Sequence, residues 1–242
     1  MTRGPAYDGA VRALAAQWTR LLDVLPTLDP DAPTRVDGWT VRDVEAHLTA
    51  TTAGLVGVLA APAPTRADTS VEGWAAALPG LAEVIDADAR QGPADLSSAV
   101  AAALAALDDA DGDRVVQQRT GAHTLLDALR FRLVEGVVHG RDLGIDPDPI
   151  AQRLAVKALV EVLVTRAPGH AVELRVPPYT AVQVLDGPRH TRGTPPNVVE
   201  LGPAAFLDLA TGRASWTDAV GDGRVRASGE RADLSALLPL LT

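Results

Sequence analysis

Apolar residues recur every three and four positions through roughly the first 145 residues of the chain, and every second position in shorter stretches after residue 170. The first period is that of an amphipathic α-helix and the second that of a half-buried strand. Val11, Leu14, Ala15, Trp18, Leu21, Leu22 and Leu25 form one apolar stripe, which predicts a helix over 7–25 that Pro26 and Pro30 terminate. A Pro/Asp-rich connection then closes on Asp37-Gly38. Thr40 followed by Asp43 is a helix-start signature, because the hydroxyl accepts from a first-turn amide while the carboxylate faces the cap and the positive end of the helix. A helix over 41–59 follows, with Val44, His47, Leu48, Leu55 and Leu59 turned partly inward and with Trp39 and Val44 placed as a hydrophobic staple. Further helices are predicted over 71–89, with a kink or break at Pro79, and over 93–110, whose alanine-rich centre has high helix propensity. Residues 114–123 show no clear period. Thr124 and Asp127 then repeat the cap signature ahead of Leu125, Leu126, Leu129, Leu133, Val137 and Val138, a helix that Gly144 ends.

The proline pair in Asp146-Pro147-Asp148-Pro149 marks a domain junction, giving a helical domain over 1–148 and a smaller α+β domain over 149–242. The second domain opens with a helix over 150–166. Val172, Leu174 and Val176 alternate with polar residues, as do the apolar positions of 179–185, so two strands joined through Pro177-Pro178 are expected. A third strand over 197–201, a helix over 203–211, a strand over 224–227 and a closing helix over 232–241 complete the reading. The fold class is α+β, mostly α.

Composition narrows the function. The chain of 242 residues is 47% hydrophobic and 22% charged, the balance of a soluble globular protein. With 22 Lys+Arg against 31 Asp+Glu its formal charge is -9, which repels polyphosphates and anionic headgroups and argues against nucleic acid or a membrane surface as a partner. No apolar run reaches the ~20 residues of a membrane span, and no signal-peptide core follows Met1, so a cytoplasmic location is the expectation. The absence of cysteine removes disulfides, zinc-thiolate sites and a cysteine nucleophile. Any metal must be held by imidazole and carboxylate, and a thiol, if the chemistry needs one, must be borrowed.

Glu135 and His139 are four residues apart on a predicted helix and can face a common spot. Spacing alone leaves two readings open, a pair on the helix surface or half of a metal site. His47, the other of the five histidines to fall inside a predicted amphipathic helix, completes a set of two imidazoles and one carboxylate if the two helices are neighbours in a bundle. Three protein ligands and an open position are the pattern of catalytic zinc, although such a set also accepts other divalent ions. Asp43 is a competing partner for His47, but at the helix start it suits the cap better.

Residues 37–48, Asp37-Gly38-Trp39-Thr40-Val41-Arg42-Asp43-Val44-Glu45-Ala46-His47-Leu48, resemble the signature of the mycothiol-dependent maleylpyruvate isomerase family. Residues 130–143, with Glu135 and His139-Gly140-Arg141-Asp142-Leu143, resemble that family's second motif. Trp216-Thr217-Asp218-Ala219-Val220 and residues 227–235 are similar to the bacterial version of sterol carrier proteins. The resemblance implies a DinB-like four-helix bundle with His47, Glu135 and His139 as metal ligands, followed by a small sterol-carrier-like domain. It further implies a zinc or other divalent ion that activates the thiolate of mycothiol, for an isomerase or thiol-transferase reaction on a small electrophilic substrate. In the isomerase reaction the thiolate adds to a conjugated double bond, allows rotation about it, and leaves. The expected partners are thus the small thiol and the electrophile, in a monomer or homodimer.

Other residues have weaker claims. Asp142, three residues after His139, suits either a role orienting that ligand or a place at the helix end. Arg132 is read as pairing with Glu135 or as exposed. Arg224 and Arg226 alternate on one strand face and are the candidate catalytic residues, supplying a cation for a substrate carboxylate or for the thiol, where plain surface arginines fit equally. Trp74 and Trp216 are read as core or interface residues, and His123, His170 and His190 are given no role. Two alternatives compete with the enzyme: a lipid or small apolar ligand carrier whose bundle is a scaffold, and an anti-sigma-like interaction protein built on the same zinc bundle.

Overall fold

A computed structural model describes residues 4–92, 95–187 and 196–241 as two compact units, up to residue 155 and from 156 onward. The first unit is built on helices α1 (Pro5–Val24), α2 (Val41–Ala60), α3 (Val71–Ala77), α4 (Ala82–Gln91) and α5 (Leu96–Asp108). A hairpin of strands β1 (Val115–Gln118) and β2 (Gly121–Thr124) follows, then helix α6 (Leu125–Asp142). Helix α7 (Pro149–Arg166) begins where the proline pair placed the junction and runs across the division between the units.

Helices α1, α2, α5 and α6 form the bundle, with α1 against α6 and α5, and α2 against α5 and α6. Leu14, Trp18 and Leu21 of α1, Leu48 of α2 and Leu125, Leu129 and Leu133 of α6 are almost completely removed from solvent. Each such side chain contributes about 1.5–3 kcal/mol of transfer free energy. The bundle also buries one neutral polar side chain that sets helix spacing. Gln17 of α1 donates from Nε2 to the Gly136 carbonyl (2.9 Å) and accepts from the Asp148 amide at Oε1 (2.9 Å). A Cβ on Gly136 or Gly140 would stand 3.2 or 3.1 Å from Gln17, so the two glycines let α1 approach this face of α6.

The cap signatures form as expected. Thr40 accepts from the Asp43 amide while the Asp43 carboxylate accepts from the Thr40 amide at 2.7 Å, and Thr124 caps α6 through the Asp127 amide at 3.1 Å. The 71–89 helix breaks at Pro79 into α3, a 3-10 turn over Leu78–Leu81, and α4. The fourth helix starts at Leu96 under an Asp95 cap; Pro93, the expected start, lies outside the described residues.

In the second unit β3 (Val172–Val176), β4 (Thr180–Val184), β5 (Val198–Leu201) and β6 (Val225–Ser228) form a sheet of order β4-β3-β5-β6. The β3–β4 and β5–β6 pairs are antiparallel and β3–β5 is parallel. Helices α8 (Pro203–Ala210) and α9 (Trp216–Gly221) complete the unit, with Phe206 of α8 among its largest buried side chains. The closing helix over 232–241 does not form. A single 3-10 turn, Ser235–Leu237, is followed by an extended end in which the Leu240 and Leu241 amides donate to the Ala210 carbonyl. Pro239 explains this, since it disfavours helical backbone at Leu238 and has no amide to donate. No helix among the described residues is long and apolar enough to cross a membrane.

Candidate metal centre

Two capped helices bring the centre together. The Thr40/Asp43 cap starts α2 so that His47 falls on its second turn facing inward, and packing of Gly136 and Gly140 against Gln17 turns the neighbouring face of α6, about 100° around the helix, toward α2. That face carries Arg132, Glu135, His139 and Asp142, spaced by three, four and three residues, one stripe along the helix.

Glu135 Oε2 lies 2.8 Å from Nε2 of His47 and 3.4 Å from Nε2 of His139. Nδ1 of His139 donates to Asp142 Oδ2 at 3.0 Å, and the Asp142 side chain is 1% exposed. Asp43, the competing partner for His47, is occupied by the cap. Trp39 closes one side: its ring stacks on His139 (6.1 Å between centroids, 17°) and lies tilted against His47 (5.4 Å). Its Nε1 donates to Asp86 Oδ1 at 2.9 Å, and Asp86 in turn pairs with Arg90.

The electrostatics follow from burial and pairing. Burial alone pushes the Glu135 carboxyl up, but hydrogen bonds from His139 and His47 and the charges of His47 and Arg132 outweigh it, holding the group well below its usual range. Burial pulls the His47 imidazole down, against the pull of Glu135. For His139 burial also acts downward, yet the Asp142 and Glu135 carboxylates prevail and raise it to about 9.

The donor atoms of His47, Glu135 and His139 all lie within 4.8 Å of one another. Ligands about 2.1 Å from a tetrahedral zinc stand roughly 3.4 Å apart, so the set fits such an ion with little rearrangement. Both Nε2 atoms and Oε2 would bind it, and Asp142 on Nδ1 would keep His139 in the tautomer that presents Nε2.

His47 and Glu135 of this set open onto a cleft of about 340 Å³. His47, Glu135 and Arg132 form one part of its wall, Leu55, Trp74 and Ile85 an apolar part, and the β1–β2 turn, with Gln118, Arg119 and Thr120, a polar rim. Trp74 is a core residue stacked on Phe131 (4.6 Å, 6°) and also faces this space. Sequence reasoning missed the walls: Trp39, read as a staple, covers the histidines, and the hairpin fell in the stretch without a period. The signal for Trp39 was its place directly before the cap that positions His47.

Arg224 and Arg226 belong to the second unit and are exposed; Arg224 donates to Asp222 at 2.7 Å, and Arg226 stands opposite Glu200 in the sheet. His123 is fully buried against Thr120 (2.8 Å), His170 bonds Gln183 at the surface, Trp216 is half-buried, and His190 lies outside the described residues.

Comparison with known proteins supplies the context for this geometry. Residues 11–144 match the family described as the mycothiol maleylpyruvate isomerase N-terminal domain, and residues 149–240 match the bacterial SCP ortholog family. Crystal structures of the mycothiol-dependent maleylpyruvate isomerase and of a histidine-to-alanine mutant of it are similar in fold, at TM-scores of 0.62 and 0.64 and identities of 16% and 15%, over 94% of each chain. No curated protein matches the chain in sequence. A helical domain matched over more than half of the chain, continued by an SCP-type domain, makes this chain a member of the mycothiol maleylpyruvate isomerase N-terminal domain family.

Proposed function

We propose that the chain is a metal- and mycothiol-dependent enzyme, an isomerase or thiol transferase acting on a small electrophile. The observation that carries this reading is the convergence of His47, Glu135 and His139 from two helices, with His47 and Glu135 at the wall of a cleft large enough for a small molecule. A bound zinc or other divalent ion supplies Lewis acidity that makes a thiol a thiolate at neutral pH, and the thiol supplies a nucleophile able to add to a conjugated double bond and leave again. The chain's own part is to hold and dry the site. Glu135, ionised, neutralises the centre; Asp142 fixes the ring of His139; and Trp39 excludes water from one side.

Arg224 and Arg226 stand in this proposal as the residues that grip a carboxylate or a polar group of the thiol. Arg226→Ala is expected to raise KM more than it lowers kcat if they do so. The primary test is turnover of maleylpyruvate, followed by absorbance, with and without mycothiol and zinc. Activity that needs both and is lost in His47→Ala and His139→Ala is expected. Thiol-independent turnover, or full activity in both variants, contradicts the proposal. Native mass spectrometry showing a lipid bound to the purified chain, together with no thiol-dependent turnover, would instead favour the carrier.

A further inference from the structure

Arg132 presents to the cleft a guanidinium that feels the charge of Glu135 but has no hydrogen-bond acceptor among the described residues. It lies one turn before Glu135 on the same face of α6 and lines the cleft beside His47 and Glu135. Its Nε is shut off from solvent and has no hydrogen-bond partner, and among the described residues no side chain or carbonyl accepts from its guanidinium. Burial pulls its pKa down from the usual arginine value, with the charge of Glu135 acting the other way. Glu135 is already engaged by two imidazoles, and a metal ion would engage it further. The other ion pair at the cleft is self-contained, since Arg119 holds Asp88 at 2.9 Å. A donor such as this Nε, closed off from water and left without an acceptor, carries a cost in the folded protein. That cost is offset when an anion enters.

We infer that Arg132 is a specificity-determining residue that receives the carboxylate of the ligand held in this cleft. The planar fork of arginine matches the two oxygens of a carboxylate, and the facing wall of Leu55, Trp74, Leu78 and Ile85 accepts an apolar body. The ligand class is therefore a small organic acid whose carboxylate lies on the Glu135 side of the cleft and whose apolar or conjugated part lies along α2 and α3. This deepens the proposed function, on which it rests for the cleft being a substrate site, by assigning the acid to a residue of the bundle itself, which leaves to Arg224 and Arg226 the second of their two proposed roles, gripping a polar group of the thiol.

The test uses an isosteric pair of probes, cinnamate and its neutral amide cinnamamide, titrated by calorimetry into the full-length protein as purified and again after zinc loading. Cinnamate is expected to bind about tenfold or more tightly than the amide, the usual return of a charge-assisted hydrogen bond formed away from water. Arg132→Met is expected to abolish that preference without lowering Tm in the absence of ligand, because no hydrogen bond of the folded protein is removed with the guanidinium. A residue with a merely structural role would lower Tm instead. Arg12→Gln, at an exposed position of α1 outside the cleft lining, keeps the preference. Should Arg132→Met not fold, Arg132→Lys retains the charge without the fork and is expected to reduce the preference severalfold. Equal binding of acid and amide by the parent protein, or an acid preference that survives in every Arg132 variant that folds, overturns the inference. Because neither mycothiol nor turnover enters the measurement, loss of the preference leaves the thiol chemistry to its own assay, and failure of that assay leaves this result standing.

Discussion

Of the three residues proposed to bind metal, only His139 should carry a proton at neutral pH when the metal is removed. Glu135 is ionised because the two imidazoles and Arg132 hold it well below the usual carboxylate range against the effect of burial, and His47 is neutral because burial pulls it down. His139 is raised from 6.5 to about 9 by Asp142 and Glu135, which outweigh its burial. Zinc entering at about pH 7 must therefore displace one proton held about two pH units too tightly. At about 1.36 kcal/mol per unit this lowers the apparent affinity about 100-fold, or roughly 3 kcal/mol. The assay is competition for zinc with a chromophoric chelator across the range from about pH 6.5 to 9.5. The logarithm of the affinity is expected to rise by about one per pH unit and to level off near the His139 value. In the same chelator-treated protein the raised pKa contributes stability that is present below the unfolded value of 6.5 and lost as pH rises through about 9. Stability of the metal-free form should thus fall over the interval in which zinc affinity climbs. A flat affinity profile would refute the charge assignment, and a slope of two would show that His47 is protonated as well.

Three further outcomes follow from individual contacts. Asp142→Asn, assayed at about pH 9.5 where proton competition has ended, is expected to weaken zinc binding about 10–100-fold, because the carboxylate that orients and polarises His139 is lost. Thr40→Ala removes the side-chain half of a reciprocal cap and should lower stability by about 1 kcal/mol, read as a Tm shift of about 2–4 °C in thermal denaturation. Gln17→Leu leaves the Asp148 amide without its acceptor and strips Gly136 of its added donor, and is expected to cost about 1–3 kcal/mol in urea unfolding.

Local signals in the sequence carried much of this architecture. Thr40 with Asp43 and Thr124 with Asp127 announced the starts of the two helices that hold the site, since a cap is decided within four residues. The alternation of Val172, Leu174 and Val176 announced a strand because one face of the sheet is buried, and these three residues are. What was not legible depends on distant partners. The hairpin over 115–124 has polar residues at most positions and is anchored from elsewhere: the amides of Asp68 and Thr69 donate to the Ala122 carbonyl, and Asp68 accepts from the Ala122 amide at 2.8 Å. Trp39 reads as an ordinary apolar neighbour of a cap until α6 places His139 under its ring. The leucines at 234–241 carry a helical apolar pattern, but Pro239 and the bonds to Ala210 decide the backbone there. Arg132 could be placed on the Glu135 face by counting, whereas the lack of a hydrogen-bond acceptor for it among the described residues depends on every neighbour in the fold.

The central claim is that His47, Glu135 and His139 act together as one metal-binding set. Elemental mass spectrometry of the full-length chain, purified without an affinity tag and then equilibrated with zinc and desalted, tests it directly. One equivalent of zinc per chain is predicted for the parent protein, with loss of the ion in His47→Ala, Glu135→Gln and His139→Ala variants that remain folded by circular dichroism. A folded parent protein that retains no zinc, or three variants that retain it as the parent does, would contradict the claim.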